Sequence, residues 1–122
     1  MTETPDCSFC EIVAGRARAT VIREWPDAIA FRPRSGGVHA GHLLVIPKAH
    51  VPHAAADPTI TGMVSARAAE LMAAYSAANL IASMGPEATL TVEHLHIHVV
   101  PRERGDGLSL PWTATASTRS AP

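Results

Sequence analysis

The sequence is poor in cysteine, in aromatic residues and in net charge. Its 122 residues include two cysteines, one tyrosine, two phenylalanines and two tryptophans. The 10 basic and 11 acidic residues nearly cancel, so the chain lacks the broad basic stripe that follows a nucleic-acid backbone. Any phosphate must then be bound by a few placed groups, and we expect no nucleic-acid polymer as a partner.

The chain also lacks a run of apolar residues long enough to cross a membrane. Its first ten residues, MTETPDCSFC, are polar and acidic, unlike a signal peptide. We therefore expect no membrane attachment and a cytoplasmic location. In such a chain the Cys-x-x-Cys spacing of Cys7 and Cys10 is typical of a metal site or a redox pair. A redox pair is disfavoured because no thioredoxin-like βαβ pattern is present, while an unliganded thiol pair stays open.

The length suits one domain, which we place at residues 1–112, followed by a flexible tail of small polar residues at 113–122. A capping box at Ser8 and Glu11 predicts a short helix that ends at Gly15. Asp57 and Pro58 predict the start of a long helix that fades near residue 78. Five strands are predicted, over residues 19–24, 28–31, 42–46, 79–82 and 90–100. The pattern indicates an α+β fold built on antiparallel strands.

Histidine is plentiful, and three of the seven histidines alternate in the stretch EHLHIHVVPR, residues 93–102. A helix would turn His96 away from its neighbours, whereas a strand places His94, His96 and His98 on one face. The apolar residues between them then form the opposite face. A polar face that merely tolerates histidine is the plain alternative. A metal site made of these three alone is disfavoured, since zinc requires a tetrahedron.

This histidine pattern, followed by two apolar residues, resembles the signature of the histidine triad (HIT) superfamily. The Cys-x-x-Cys pair, GHLLVIPKAH at residues 41–50 and NLIASMG at 79–85 are similar to segments of its bacterial members. The resemblance covers about residues 7–112. It implies a HIT-like fold, with an antiparallel sheet of about five strands, one long helix and a short N-terminal helix. It also implies a homodimer.

The resemblance implies a hydrolase or nucleotidyl transferase that attacks the α-phosphate of a nucleotide conjugate, such as a phosphoramidate or a dinucleoside polyphosphate. By this resemblance His96 is the nucleophile and forms a nucleotidyl-imidazole, while His98 steadies charge on the phosphoryl oxygens. A neutral imidazole suits this role because its pKa lies near neutrality. The resemblance also assigns substrate-binding positions to Thr91, Ser83 and Phe31.

The resemblance is closest to a zinc-bearing branch of the superfamily. It implies that zinc is held by Cys7, Cys10, His50 and His94. Two thiolates and two imidazoles make a closed tetrahedral site, which is the form of a structural zinc. Such an ion would tie the N-terminal segment to the histidine stretch and leave His96 free.

Two positions depart from the family pattern. Leu90 stands where the family usually has glutamine, so one amide donor to phosphate is missing. The loop that starts with Arg32 and Arg34 carries no carboxylate, although relatives often have one there near the ribose hydroxyls. These arginines could meet an extra phosphate, but solvated surface arginines are the simpler explanation. No role is assigned to three further histidines, which we expect at the surface: His39, His42 and His53.

Three functions remain open from the sequence. The first is the nucleotide hydrolase or transferase described above. The second is a nucleotide-binding or zinc-stabilised interaction module with little turnover, which the departures at Leu90 and in the arginine loop allow. The third, a hydrolase with catalytic zinc, needs an open coordination position, and the closed four-ligand set argues against it.

Overall fold

A five-stranded antiparallel sheet forms the centre of the protein, in a computed structural model that describes residues 6–113. The strand order is β1-β2-β3-β5-β4. The strands are β1 (Val21–Glu24), β2 (Ala28–Phe31), β3 (Leu43–Pro47), β4 (Ala78–Ala82) and β5 (Ile97–Pro101). Two α-helices, α1 (Ser8–Val13) and α2 (Pro58–Met72), and two short 3-10 helices, Ala54–Ala56 and Pro86–Ala88, complete the order. The predicted α+β class is confirmed; all of the predicted tail except Thr113 lies outside the described residues.

Helix α1 is capped one residue earlier than predicted. The Cys7 sulfur accepts a hydrogen bond from the backbone N–H of Cys10 at 3.3 Å and so acts as the N-cap. Ser8 lies inside the helix, and the Glu11 carboxylate pairs with Arg16. The predicted capping box at Ser8 and Glu11 is therefore wrong, because the sulfur already satisfies a free N–H of the first turn. This cap holds the two thiols close together.

Helix α2 begins as predicted and ends earlier. The Asp57 carboxylate accepts a hydrogen bond from the Ile60 N–H at 3.0 Å, and Pro58 occupies the first turn. The predicted extension to residue 78 is wrong, since the helix ends at Met72. Ala78 instead pairs with Pro101 in the sheet, so tertiary pairing overrides the helical preference of the alanine-rich segment. Neither α-helix among residues 6–113 is long and apolar enough to span a membrane.

The sheet is buried on both faces, which explains the continuous apolar run of β3. Helix α2 covers one face, where the core residues include Val45, Val64, Ala68, Leu95, Ile97 and Val99. Helix α1 covers part of the other face, where the core includes Cys10, Phe9, Ile29, Phe31, Leu44 and Ile46. The apolar residues between the histidines thus pack under α2, as the alternation predicts, and the histidines turn to the face covered by α1.

Strand β5 begins at Ile97, so the predicted start at Leu90 is wrong. Its neighbours pair with it only as far as Ile97, which faces Val45 on one side and Ala82 on the other. Before that point the backbone N–H of Leu95 donates to the Val51 carbonyl at 2.6 Å, outside the sheet. Only His98 of the triad therefore lies within a strand, and the other two occupy the segment that leads into it.

Candidate functional site

The three triad histidines belong to one line of rings, in which Phe9 connects His94 to His96. The ring centroid of His96 lies 5.2 Å from that of His98 and 5.1 Å from that of Phe9. The His94 ring lies 5.9 Å from Phe9 and 5.0 Å from His50. His94 is fully buried, while His96 and His98 are half-buried. The predicted single face for the three imidazoles is confirmed, with one end inside the protein and the other partly open to solvent.

His94 presents an unprotonated Nδ1 to the two thiols. Its Nε2 lies 2.9 Å from the carbonyl oxygen of Pro47, which can only accept, so Nε2 carries the hydrogen. The Nδ1 lone pair then faces Cys7 Sγ at 3.3 Å and Cys10 Sγ at 3.5 Å. Burial lowers the pKa of His94 to about 4, so the ring is neutral at pH 7. A fixed, neutral imidazole whose other nitrogen donates to a carbonyl is the usual form of a histidine metal ligand.

His50 completes a group of four ligands with Cys7, Cys10 and His94. Its Nδ1 lies 3.3 Å from Cys10 Sγ, and the four ligand atoms all lie within 4.8 Å of one another. Zinc bonds of about 2.0–2.3 Å define a tetrahedron whose edges are about 3.3–3.8 Å, close to the sulfur–nitrogen distances found here. The donor set therefore fits a metal ion and is compatible with zinc. All four ligands are protein atoms, which is typical of a structural site.

His96 has the tautomer of a nucleophile. Its Nδ1 lies 2.8 Å from the carbonyl oxygen of His94, so Nδ1 carries the hydrogen and Nε2 keeps its lone pair. Burial lowers the pKa of His96, and the hydrogen bond to the carbonyl opposes this shift in part. The ring is therefore neutral near pH 7, and its orientation is fixed by the backbone of His94, one of the four potential metal ligands.

His42 contacts the triad in a way that sequence reasoning missed. It is only 8% exposed, so its predicted surface position is wrong. Its Nδ1 accepts a hydrogen bond from the Val38 N–H at 3.2 Å, and its Nε2 lies 3.0 Å from Nδ1 of His98. Burial and then the nearby His39 lower the pKa of His42, so it is neutral and carries its hydrogen on Nε2. The sequence did contain an indication of this position. His42 directly precedes β3 and lies two residues before Leu44, a spacing that places both side chains on one face of an extended segment.

The hydrogen bond from His42 fixes the tautomer of His98. Since Nδ1 of His98 accepts from His42, the His98 hydrogen must lie on Nε2. Burial, followed by the nearby His96 and His42, lowers the pKa of His98 to about 4, so the ring stays neutral at pH 7. The site therefore sets an acceptor nitrogen on His96 beside a donor nitrogen on His98. Such a pair is able to support nucleophilic attack on a phosphoryl group.

The other two histidines without a predicted role are also partly buried. His39 Nδ1 accepts from the Gly41 N–H at 2.8 Å, and its Nε2 contacts the Glu103 carboxylate. His53 is half-buried, and its Nδ1 has no hydrogen-bond partner within the described residues 6–113. Both residues therefore lie partly exposed, and neither contacts a triad histidine.

A cleft of about 700 Å³ opens beside the triad. Its apolar wall includes Phe9, Phe31 and Leu44, and Phe9 also contacts the His96 ring. The sheet register places Phe31 opposite Leu44 and Leu44 opposite His98, so wall and triad share one face. The predicted substrate-binding residue Phe31 therefore lies in the wall of a cleft large enough for a nucleoside-sized ligand.

The remaining predicted substrate residues lie around this site. Thr91 is exposed and lines a second cleft, of about 430 Å³, together with Cys7, His50 and Glu93. Ser83 directly follows β4, whose last residue, Ala82, pairs with Ile97. The antiparallel register therefore leads Ser83 towards the segment of His96. The roles of Thr91 and Ser83 in binding phosphate stay predictions.

The fold and the line of histidines define a HIT-domain protein. The model of the HIT domain family matches residues 14–105, so the chain belongs to that family. An uncharacterised HIT-like protein of Mycobacterium tuberculosis is 38% identical over 114 residues, which cover 85% of this chain and 76% of the relative. The solved structure of a HIT family protein from Bacillus anthracis superposes with a TM-score of 0.80 at 30% identity, covering 92% of this chain and 84% of that one.

Two further relatives have names that state an activity. An adenosine 5'-monophosphoramidase of Schizosaccharomyces pombe is 29% identical, over 87% of this chain and 82% of the relative. An adenylylsulfatase of Arabidopsis thaliana is also 29% identical, over 93% of this chain and 59% of the relative. The family relationship supports a hydrolase of the nucleotide-binding kind, and the resemblance recognised in the sequence is confirmed.

Proposed function

We propose that the protein hydrolyses or transfers a nucleotidyl group at the α-phosphate of a nucleotide conjugate, either a phosphoramidate or a dinucleoside polyphosphate. The observation that carries the proposal is the pair of fixed tautomers, with a lone pair on His96 Nε2 and a hydrogen on His98 Nε2. The names of the two relatives, a phosphoramidase and an adenylylsulfatase, support a bond to an adenylyl phosphorus as the target.

The reaction proceeds in two displacements. His96 Nε2 attacks phosphorus, a phosphorus–nitrogen bond forms, and the bond to the leaving group breaks and leaves its electron pair there. The departing group takes up a proton. Water or another acceptor then forms a bond to the same phosphorus and loses a proton, while the phosphorus–nitrogen bond breaks and its electron pair returns to His96 Nε2. His98 Nε2–H donates to a phosphoryl oxygen, where negative charge increases during both displacements.

The metal has a structural role in this proposal. Zinc held by Cys7, Cys10, His50 and His94 would tie helix α1 to the segment that carries the nucleophile. The backbone of His94 positions the His96 ring directly, since the His94 carbonyl accepts a hydrogen bond from His96 Nδ1 at 2.8 Å. The location in the cytoplasm and the assembly into a homodimer, both expected from the sequence, are part of the same proposal.

The decisive experiment traps the intermediate. Wild-type protein and His96→Ala are mixed with adenosine 5'-phosphoramidate labelled on phosphorus and quenched within one turnover. We expect label on His96 in the wild type, and a loss of turnover of about a thousandfold or more in His96→Ala. The His98→Ala variant should retain labelling at a reduced rate, since it keeps the nucleophile.

The second candidate function, a binding module with little turnover, is favoured by the hydrophobic Leu90 where an amide donor would assist phosphate. It predicts nucleotide binding without labelled protein and without ammonia release. That result across phosphoramidates and dinucleoside polyphosphates would replace the enzyme proposal. Normal turnover in His96→Ala together with its loss in His98→Ala would instead show that the two roles are exchanged.

A further inference from the structure

Three arginines line the rim of the cleft beside the triad: Arg18, Arg32 and Arg34. They differ from most other arginines of the described chain. Four arginines form ion pairs with carboxylates, namely Arg16 with Glu11, Arg23 with Glu70, Arg67 with Asp27 and Glu70, and Arg102 with Asp106. The three rim arginines form no ion pair with a carboxylate within residues 6–113. The cleft therefore carries three positive charges that the described part of the protein does not neutralise.

The pairing of β1 with β2 brings these arginines together. The two strands are antiparallel, with Val21 opposite Phe31, and the pairing continues where the Arg32 N–H donates to the Thr20 carbonyl at 3.0 Å. The residues before β1 therefore lie beside the residues after β2. Arg18 and Arg32 reach one rim for that reason, and Arg34 follows Arg32 by two residues.

Arg32 is also held in place by its own loop. Its guanidinium donates to the carbonyl oxygen of Ala40, on the far side of the turn that contains Gly36 and Gly37. Pro33, which has a fixed φ, separates it from Arg34 and also lines the cleft. A positioned guanidinium gives up less conformational freedom when it binds an anion, and its planar fork matches the oxygens of phosphate.

The rest of the cleft is apolar or neutral. Among residues 6–113 its lining includes Phe9, Ile12, Phe31, Leu44 and Val92, together with two hydroxyl side chains and no carboxylate. A lining of this kind suits an aromatic or sugar group between the rim and the triad. The described lining offers no carboxylate that could accept a hydrogen bond from a sugar hydroxyl. The arginines of the rim therefore favour an anionic group over a neutral diol.

The rim lies away from the reacting phosphorus. Phe31, next to Arg32, is two strands from His98 in the register Phe31–Leu44–His98. Neighbouring strands lie about 4.8 Å apart, so β2 and β1 lie roughly 10 Å and 14 Å from β5. A group bound at the rim is thus separated from a phosphorus at His96 by much of the nucleoside. The leaving group is not required to reach it.

We infer that the substrate carries a second phosphate on its nucleoside, bound by Arg18, Arg32 and Arg34 at the rim of the cleft. This inference rests on the proposed function and defines its substrate class more narrowly: a nucleotide conjugate with an additional phosphate on the sugar. Two or three guanidinium groups around one phosphate give charge-assisted, bidentate hydrogen bonds, which are about twice as strong as neutral ones.

The test measures dissociation constants by calorimetry on the wild-type protein. The ligands are AMP, adenosine 3',5'-bisphosphate, adenosine 2',5'-bisphosphate and ADP. We expect one of the two bisphosphates to bind about tenfold or more tightly than AMP, a preference that added salt reduces. ADP also has one phosphate more than AMP, but this phosphate lies in the 5' chain and not on the sugar. Its affinity should therefore exceed that of AMP by much less.

For each variant the quantity compared is the ratio of bisphosphate affinity to AMP affinity. A general loss of folding lowers both affinities and leaves this ratio unchanged. Arg32→Gln combined with Arg34→Gln should bring the ratio close to one, and Arg18→Gln should lower it. The matched control is Arg104→Gln, which removes an exposed arginine that lies outside the cleft lining and should keep the wild-type ratio.

Three results would overturn the inference. The first is equal affinity for AMP and both bisphosphates in a protein that turns over phosphoramidate. It would refute the second phosphate as part of the substrate, while the proposed function would still hold. A gain for ADP equal to that for a bisphosphate assigns the arginines to the phosphate chain. A bisphosphate preference that survives in the Arg32→Gln/Arg34→Gln variant places that phosphate elsewhere. The absence of any nucleotide binding and any turnover would instead refute the proposed function itself.

Discussion

The Nε2 of His42 lies 3.0 Å from the Nδ1 of His98, and this contact joins a glycine-containing loop to the proposed catalytic line. The His42 ring in turn accepts a hydrogen bond from the backbone of Val38. One backbone N–H therefore sets two successive tautomers and leaves the hydrogen of His98 on Nε2. We regard His42 as a positioning residue, which acts on substrate only through His98.

The loop residue Gly37 provides a test of this hydrogen-bonded chain. A Cβ at Gly37 would meet His42 Nδ1 at 2.4 Å, and its φ of +71° disfavours any other residue. Gly37→Ala should therefore displace His42 and lower kcat by about 10- to 100-fold, the usual effect of losing an outer positioning contact. Steady-state turnover of a phosphoramidate measures this.

Gly36→Ala is the matched control. Gly36 has a φ of +87°, but a Cβ there meets nothing within 4 Å. Both variants carry a backbone strain of about 1–2 kcal/mol, and Gly37→Ala adds the contact with His42. Thermal melting should therefore shift down in both, at least as far in Gly37→Ala, while only Gly37→Ala loses activity. Equal activity in the two variants would show that the position of His42 is unimportant for the reaction.

The four-ligand group predicts one zinc per chain. Cys10→Ser should abolish stoichiometric zinc and lower Tm by more than about 5 °C, because binding a structural metal contributes directly to the free energy of unfolding. Elemental analysis and thermal melting measure the two effects. Ser8→Ala, on the exposed side of the same helix, should change neither. Wild-type protein that holds no zinc, and takes none up on reconstitution, would contradict the assignment.

The alternation of residues 94–100 was enough to assign both faces of the sheet here, because a period of two leaves no other arrangement for three histidines. The cysteine spacing indicated a metal or redox pair, and the further ligands His50 and His94 came from the family resemblance. Neither inference required knowledge of which strands lie beside the histidine segment or the cysteine pair.

The contacts that the sequence could not predict are those between distant segments. His42 and His98 are 56 residues apart, and only the register of β3 with β5 brings them together. The end of α2 at Met72 and the start of β5 at Ile97 are likewise set by pairing with neighbouring strands, which local propensity does not contain. The charge of the cleft rim is a third example, since it depends on the pairing of β1 with β2.

His98 contributes to the acid sensitivity of the fold, beside the buried His94, whose pKa is lowered to the same extent. Burial holds its folded-state pKa at about 4, whereas an unfolded histidine titrates near pH 6.5. Between these values the unfolded chain binds a proton that the folded chain does not, so the free energy of unfolding decreases as pH falls from about 6.5 to about 4. Above about pH 6.5 this contribution is constant.

The variant His98→Gln has no titrating side chain at this position, so the proton that the unfolded wild type binds there is absent. Chemical denaturation at several pH values should give a shallower decline for the variant than for the wild type, by up to about one proton between pH 6.5 and 4. Loss of metal at low pH affects both proteins and cancels in the difference. Parallel curves for the two proteins would mean that His98 is not buried as a neutral ring.

The edge strand β4 provides the final prediction, a homodimer. Among residues 6–113 it pairs with β5 on one side only, and nearby Tyr75, Ile81 and Met84 are exposed. An unpaired edge beside apolar side chains favours pairing with a second copy about a twofold axis. Light scattering at micromolar concentration should therefore give twice the chain mass of 12.8 kDa.

Charge placed on this edge should separate the copies. Ile81→Lys puts an ammonium on β4 and should shift the protein to the single-chain mass, since lysine on an edge strand opposes pairing. Val21→Lys is the matched control, because Val21 stands at the other end of the same cross-strand row, on β1, and is similarly exposed at 45% against 37%. A monomeric wild type would refute the dimer, and dissociation by Val21→Lys alone would move the interface to β1.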